Sequence, residues 1–488
     1  MASETLTTVS PITNRPVLTR AGVTRDELKA LPKAAQEAFR AFSRSTTLGQ
    51  RQEIVARALG LMAKKKDVLA REVTEQMGRP VAYTGVELTT AIRRGEYLNR
   101  IAGEALGEAL PGDAEPGFRR YLKKEPLGVV LVIFAWNQTN NGKERGDAKC
   151  DSLGEQYPYL ILVNSLIPAL LAGNAVILKP SPQTPTVVEQ MASIFLEAGL
   201  PRNVLQYFHC GSAVDLETIV RCPLINHICF TGSVAGGLAV QKAAADRIVT
   251  VGLELGGNDP AYVREDVDVS WAAAEIVDGA IFNSGQSCCS IERVYVHEKV
   301  HDALIQEIKK VLASYRVGDP FDEKTQIGPV ISKRAKESIL SHIEDAIKRG
   351  AKDETPANAT FDNLPSAGNF VKPTLLTGVT HDMRVMTEET FGPVIPVMKA
   401  KGDEEAVRLM NDSDLGLTAS IWTKDVATGE KLIQDIEAGT VFVNRADYPS
   451  PDLAWTGWKN SGRGVTLSRF GFDQFVKLKS FHLKDYPK

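Results

Sequence analysis

The chain of 488 residues is 43% hydrophobic and 24% charged, enough apolar mass to bury the cores of two or three domains. With 57 Lys and Arg against 60 Asp and Glu, its net charge of −3 argues against a nucleic-acid or anionic-membrane partner. Six cysteines (Cys150, Cys210, Cys222, Cys229, Cys288 and Cys289) form no CxxC pair, so reduced thiols in a cytoplasmic setting are expected rather than disulfides or structural zinc. No long apolar run or secretory signal is present.

In chain order, residues 25–105 place apolar side chains at three- and four-residue steps between charges, which predicts amphipathic helices lying on a sheet. Polar and apolar residues alternate around Tyr121, and the continuous apolar run 129–134 reads as a buried strand of a parallel sheet. From 160 to 255 the pattern alternates, with strands at 174–178, 204–208, 225–231 and 248–253 and helices at 186–198, 215–221 and 235–245. Such alternation predicts a doubly wound α/β unit that binds ligands at the carboxyl ends of its strands. Lys179 stands at one such end, and the turn Phe230-Thr231-Gly232-Ser233 at another. That turn opens a helix with Gly236 and Gly237 in its first turn, where free backbone N–H groups would face an anion such as a pyrophosphate. Plain helix capping reads the same way, and there is no GxGxxG.

The second half repeats the alternation. Residues 278–282 lead into a cysteine loop, 292–296 is a strand and 301–315 a helix. After a loop-rich stretch at 353–368, strands at 374–376, 417–422 and 440–443 complete a second α/β sheet, and the tail 475–484 reads as a further strand. The run His297-Glu298-Lys299-Val300-His301 matches HExxH, but it follows directly on a strand. Zinc ligation by that pattern needs both histidines on one face of an established helix, so a solvated turn and no metal are expected.

Two stretches carry chemistry. In VGLELGGNDP, Glu254 ends a β-branched run where Gly256 and Gly257 allow a sharp turn and the close approach of a ligand. In FNSGQSCCSIERVYV, Cys288 follows Gly285 and Gln286 in a short polar loop. Thiolate is the nucleophile a cysteine offers, so the backbone there must expose it and favour the anion. A carboxylate nearby would suit activation of water once a thioester has formed. Taken singly, a cysteine is most often a small buried hydrophobe and a glutamate a solvated or capping carboxylate. Taken together, in this order and separation, LELGGNDP and GQSCCSIERVYV resemble the glutamate and cysteine signatures of the aldehyde dehydrogenase superfamily.

That resemblance implies Cys288 as nucleophile, Glu254 as general base and Cys289 as a packing residue. It implies a GSxxxG element (Gly232, Ser233, Gly236) at the pyrophosphate and Lys179, in ILKPSPQTP, at the adenosine ribose. EETFGP is similar to another family signature, which would place Glu389 at the nicotinamide ribose and Phe391 against the ring. In FAWN, Trp136 would line the cofactor site and Asn137 would donate to the oxyanion. Many relatives that prefer NAD carry a Glu three residues after the lysine; Pro182 stands there, so either NAD or NADP is expected. The implied architecture is a Rossmann-like parallel-sheet cofactor domain (1–107 and 127–255), a second α/β catalytic domain (256–455) and a small β oligomerisation element with the tail (108–126 and 456–488). A homodimer or homotetramer would follow. The implied reaction oxidises a small-molecule aldehyde to its carboxylic acid through a cysteine thiohemiacetal and thioester. In NRADYPSPDLAWTGWKNSGRG, Tyr448, Trp455 and Trp458 offer apolar surface to the aldehyde's far end. Arg445 would pair with the carboxylate of a semialdehyde, although an Arg near a strand end is more often a surface residue.

One segment departs from the family pattern. Relatives run WN directly into an aromatic-Pro, whereas here the polar, aperiodic residues 138–156 intervene before Tyr157 and Pro158. Three readings are open: an extruded loop, a retained intron or gene-model error, or a displacement of Asn137 that weakens the enzyme. The alternatives to a working dehydrogenase are an impaired member acting as a binding protein, or a variant that acylates CoA or acts as a thiol esterase.

Overall fold

The computed structural model describes residues 4–110, 112, 115–134 and 157–486; Trp136, Asn137 and all of 138–156 lie outside them. Among the described residues, the helices expected over 25–105 are Arg25–Ser45, Leu48–Lys64, Lys66–Met77 and Val81–Ala105. The first two begin at capping boxes, Thr24 with Glu27 and Thr47 with Gln50, in which side chain and backbone satisfy each other's orphan groups.

Six strands form one sheet in the order Gly462–Arg463, Thr250–Glu254, Ile225–Thr231, Val129–Phe134, Ala175–Lys179, Leu205–Tyr207. All pair in parallel except the short Gly462–Arg463 edge. The Val129–Phe134 strand is buried along its whole length because helices cover both faces. Its side chains divide by period two: Val130, Val132 and Phe134 join the core under the helices of 48–105 and 158–197. Val129, Leu131 and Ile133 join the core on the opposite face. The strand expected at 248–253 runs instead over Thr250–Glu254. Its pairing begins where Thr250 meets His227, Ile248 is left fully exposed before it, and the strand includes Glu254 itself.

The second sheet has the order Lys352–Asp353, Thr374–Thr377, Val394–Ala400, Ile291–His297, Asp259–Val263, Thr418–Trp422, Thr440–Val443, parallel except at the Lys352–Asp353 edge. Ile291–His297, which follows the cysteine loop, lies at its centre and is wholly buried. The tail strand, Val476–Lys484, pairs antiparallel with Phe118–Pro126 of its own chain as a two-stranded ribbon, with Tyr121 stacked on Phe481 at 4.5 Å. His297 ends a strand and His301 begins the helix His301–Ala313, so the HExxH histidines do not share a helix. No helix among the described residues is long and apolar enough to cross a membrane.

Candidate active site

Glu254 stands at the carboxyl end of its strand, where Thr466 Oγ1 donates to Oε1 and Thr231 Oγ1 makes a long 3.5 Å contact with Oε2. Burial pushes its pKa up, against the pull of the Thr466 hydroxyl, the Arg94 guanidinium and Thr231. Arg94 is itself buried and pushed down to about 10 by that burial. It donates to Asn164 Oδ1 at 2.9 Å and to the Pro449 carbonyl at 3.1 Å. Its Nε finds no partner among the described residues.

The cysteine loop is built under strain. Past the helix Val269–Ile281, Asn283 (φ 54°) and Ser284 (φ 60°) take left-handed backbones, each costing about 1–3 kcal/mol, and Gly285 (φ 68°) follows. Buried hydrogen bonds offset this: Asn283 Nδ2 donates to the Gln286 carbonyl at 2.9 Å, Ser284 Oγ to the Gly328 carbonyl at 2.9 Å, and Ile331 N to Gln286 Oε1 at 2.8 Å. A Cβ on Gly285 would lie 2.1 Å from the Gly392 carbonyl oxygen, so this loop and the one following Phe391 touch backbone to backbone. Cys288 emerges half-buried against Cys289, Leu417, Trp455 and Leu467. Its two neighbours are clamped by one carboxylate: Ser287 Oγ donates to Asp447 Oδ1 at 2.9 Å and Cys289 Sγ to the same oxygen at 2.8 Å. Burial raises Asp447 to about 6. The hydrogen bond with Cys288 and then burial push the Cys289 thiol far up, so Cys289 packs and stays protonated.

Packing brings the segments of Glu254 and Cys288 together. A Cβ on Gly257, three residues after Glu254, would sit 2.4 Å from the Cys288 carbonyl oxygen. From the other side, Thr466 holds Glu254 and pairs with Trp455 backbone to backbone (2.8 and 2.9 Å), while the next residue, Leu467, packs with Trp455 beside Cys288.

Of the residues expected at a cofactor, Lys179 and the Gly232-Ser233 turn lie at one edge of the first sheet, Glu389 and Phe391 on the loop that enters Val394–Ala400 of the second, and Trp136 lies outside the described residues. Ile133 pairs with Lys179 on one side and Phe230 on the other, so the lysine and the Gly232-Ser233 turn flank one strand end. Ser233 Oγ accepts from Gly236 N at 3.2 Å and caps the helix Val234–Ala244. Gly232 N donates to the Glu254 carbonyl at 3.0 Å, tying this turn to the strand of the base. Glu389 Oε1 accepts from Gly257 N at 3.0 Å, and burial together with Glu292 pushes its pKa far up. Phe391 is buried, with a left-handed φ of 52°. A helix N-terminus for a pyrophosphate, a buried ammonium for ribose hydroxyls and a carboxyl group for the second ribose make a donor set that fits a dinucleotide. Pro182 adds no carboxylate; its carbonyl accepts from Thr8 Oγ1 at 2.8 Å.

The profile of the Aldehyde dehydrogenase family matches residues 1–141 and 156–481. This chain belongs to the aldehyde dehydrogenase family. It is 31% identical over 477 residues to a succinate-semialdehyde dehydrogenase [NADP(+)] of Mycobacterium ulcerans, covering 97% of this chain and 99% of that one. It is 32% identical to a probable betaine aldehyde dehydrogenase of Schizosaccharomyces pombe (98% and 92% covered). The crystal structure of an NAD-dependent aldehyde dehydrogenase from Sinorhizobium meliloti superposes with a TM-score of 0.89 at 29% identity, over 99% of this chain and 91% of that one. The protein is thus an NAD(P)-dependent aldehyde dehydrogenase, and the family match breaks at 142–155, inside the departing segment.

Sequence reasoning missed Arg94, Thr466 and Asp447. Arg94 lies in an ordinary amphipathic helix, while Thr466 and Asp447 meet their partners across 212 and 158 positions. Of the aldehyde-side residues, Trp455 joins the Cys288 cluster; Tyr448 and Trp458 are exposed, and the exposed Arg445 lies over the Tyr448 ring at 3.5 Å.

Proposed function

We propose that this aldehyde dehydrogenase works by covalent catalysis at Cys288 with Glu254 as the base. The observation that carries it is the close approach of Gly257, three residues after the buried Glu254 that Thr466 holds, to the carbonyl of Cys288 on its strained, half-buried loop. The Cys288 thiolate adds to the aldehyde carbon, and the resulting oxyanion takes hydrogen bonds from the Cys288 backbone N–H and the Asn137 side chain. Trp136, Lys179, Gly232, Ser233, Gly236, Glu389 and Phe391 would hold NAD(P)+, which would supply the acceptor for the hydride lost from the substrate carbon, so that Cys288 is left carrying a thioester. Glu254 then takes a proton from water as that water attacks the thioester, and the acid departs with Cys288 restored.

In this reading 1–107 and 127–255 form the cofactor domain and 256–455 the catalytic domain. The outward ribbon within 108–126 and 456–488 would carry contacts of a cytoplasmic homodimer or homotetramer. Substituting Cys288→Ala should abolish aldehyde-dependent NAD(P)H formation while NAD(P)+ still binds by calorimetry; retained turnover would refute the assignment. For substrate class, the semialdehyde relatives and the Arg445–Tyr448 stack on the aldehyde-side loop support a carboxylate-bearing aldehyde.

A further inference from the structure

We propose that Glu292 is a positioning residue for the cofactor: from the strand that follows the cysteine, it holds the Glu389–Phe391 loop in its binding shape. The inference rests on the reading of Glu389 and Phe391 given above.

Glu292 is 4% exposed near the start of the wholly buried central strand Ile291–His297, where an unpaired carboxylate would be costly. Its neighbour Arg293 does not neutralise it by direct contact. That guanidinium donates to backbone carbonyls instead, of Asn258 at 2.7 Å, Met410 at 3.0 Å and Leu409 at 3.2 Å. What Glu292 does grip is two consecutive amides of the loop: Oε2 accepts from Thr390 N at 2.8 Å and Oε1 from Phe391 N at 2.7 Å. Both amides are buried, and without the carboxylate they would be left unpaired.

The grip matters because of the shape it imposes. Phe391 has a left-handed backbone, which an aromatic residue keeps only where its surroundings dictate it. Glu389, the residue before the gripped pair, is fixed from the opposite side by Gly257 N. One carboxylate therefore ties the strand leaving the nucleophile to the loop expected to seat the nicotinamide and its ribose. The charged groups acting on it are Arg293 and two buried carboxyls, Asp259 and Glu389; burial outweighs the two amides and Arg293 and raises it to about 8.

Glu292→Gln keeps the size but turns one acceptor oxygen into an NH2 donor facing an amide donor. We expect it to raise the NAD(P)H dissociation constant by about tenfold or more, given the usual cost of a buried unpaired amide. The KM for aldehyde at saturating cofactor and the alkylation rate of Cys288 by iodoacetamide should stay near the unsubstituted values. An unchanged cofactor dissociation constant would overturn the proposal. So would equal losses of cofactor and aldehyde affinity together with slowed alkylation, because these indicate general disruption. Glu389→Gln separates the layers: if it weakens cofactor binding and Glu292→Gln does not, only this inference fails. If Glu389→Gln also has no effect, the cofactor reading fails beneath it. Should the Gln variant not fold, Glu292→Asp, which withdraws the charge by one methylene, is read by the same criteria.

Discussion

In the proposed cycle Glu254 is an anion when water approaches and a neutral acid immediately afterwards, and its surroundings pull in both directions. Burial raises its pKa, which makes its carboxylate a stronger base, while the Thr466 hydroxyl favours the anion. A base acts only above its pKa, so a raised value moves the acid limb of the kcat profile upward in pH. Thr466→Val removes a group that lowers the pKa, and the acid limb should move to higher pH still, with activity lost first in mildly acidic buffer. A pH series of kcat checks this, and an unmoved limb would remove Thr466 from the role given to it. At this scale the stretches around Cys288 and Glu254 make the family legible because each is an extended, distinctive phrase of sequence. Thr466 and Arg94 were not legible, because a hydroxyl or guanidinium within an ordinary element gives no sign of which distant carboxylate it will face.

At the level of elements, the apolar run 129–134 and the alternation after residue 160 revealed the parallel sheet because burial on both faces demands unbroken hydrophobicity. The strand now seen at Thr250–Glu254 was misjudged at its ends, since β-branched residues at 248 and 249 look like strand whether or not a neighbour pairs with them. The cysteine loop's two left-handed non-glycine residues were equally hidden, being imposed by tertiary hydrogen bonds rather than by local preference. The loop that follows the strand Thr440–Val443 is a similar case. Asn444 and Asp447 also have positive φ, and Asp447 turns back to clamp the residues flanking Cys288 while Arg445 lies over Tyr448. If that loop reads a substrate carboxylate, Arg445→Ala should raise KM about tenfold or more for carboxylated aldehydes and spare uncharged ones, the loss expected for a charge-assisted hydrogen bond. Equal effects on a semialdehyde acid and an uncharged aldehyde of similar length would exclude the role.

Across the whole molecule, the carboxyl end of the Thr250–Glu254 strand in the first sheet meets loops that enter strands of the second, the cysteine loop before Ile291–His297 and the Glu389–Phe391 loop before Val394–Ala400, and the short stretch from Glu254 through Gly257 passes from one sheet into the other. These segments are linked by close contacts: Gly232 N to the Glu254 carbonyl, Gly257 N to the Glu389 side chain, and the backbone of Gly285 against that of Gly392. Segment 138–156, which interrupts the family wording right after Asn137, falls outside the described residues, and the family profile itself skips 142–155. The division of labour between the two central side chains is tested most directly with Glu254→Gln, mixed rapidly with aldehyde and NAD(P)+ and quenched for peptide mass spectrometry. The account predicts a burst of NAD(P)H near one equivalent per active site, then slow turnover, with the acyl mass on the peptide containing Cys288. Full-speed turnover with no burst, or acyl mass on a different residue, would contradict it.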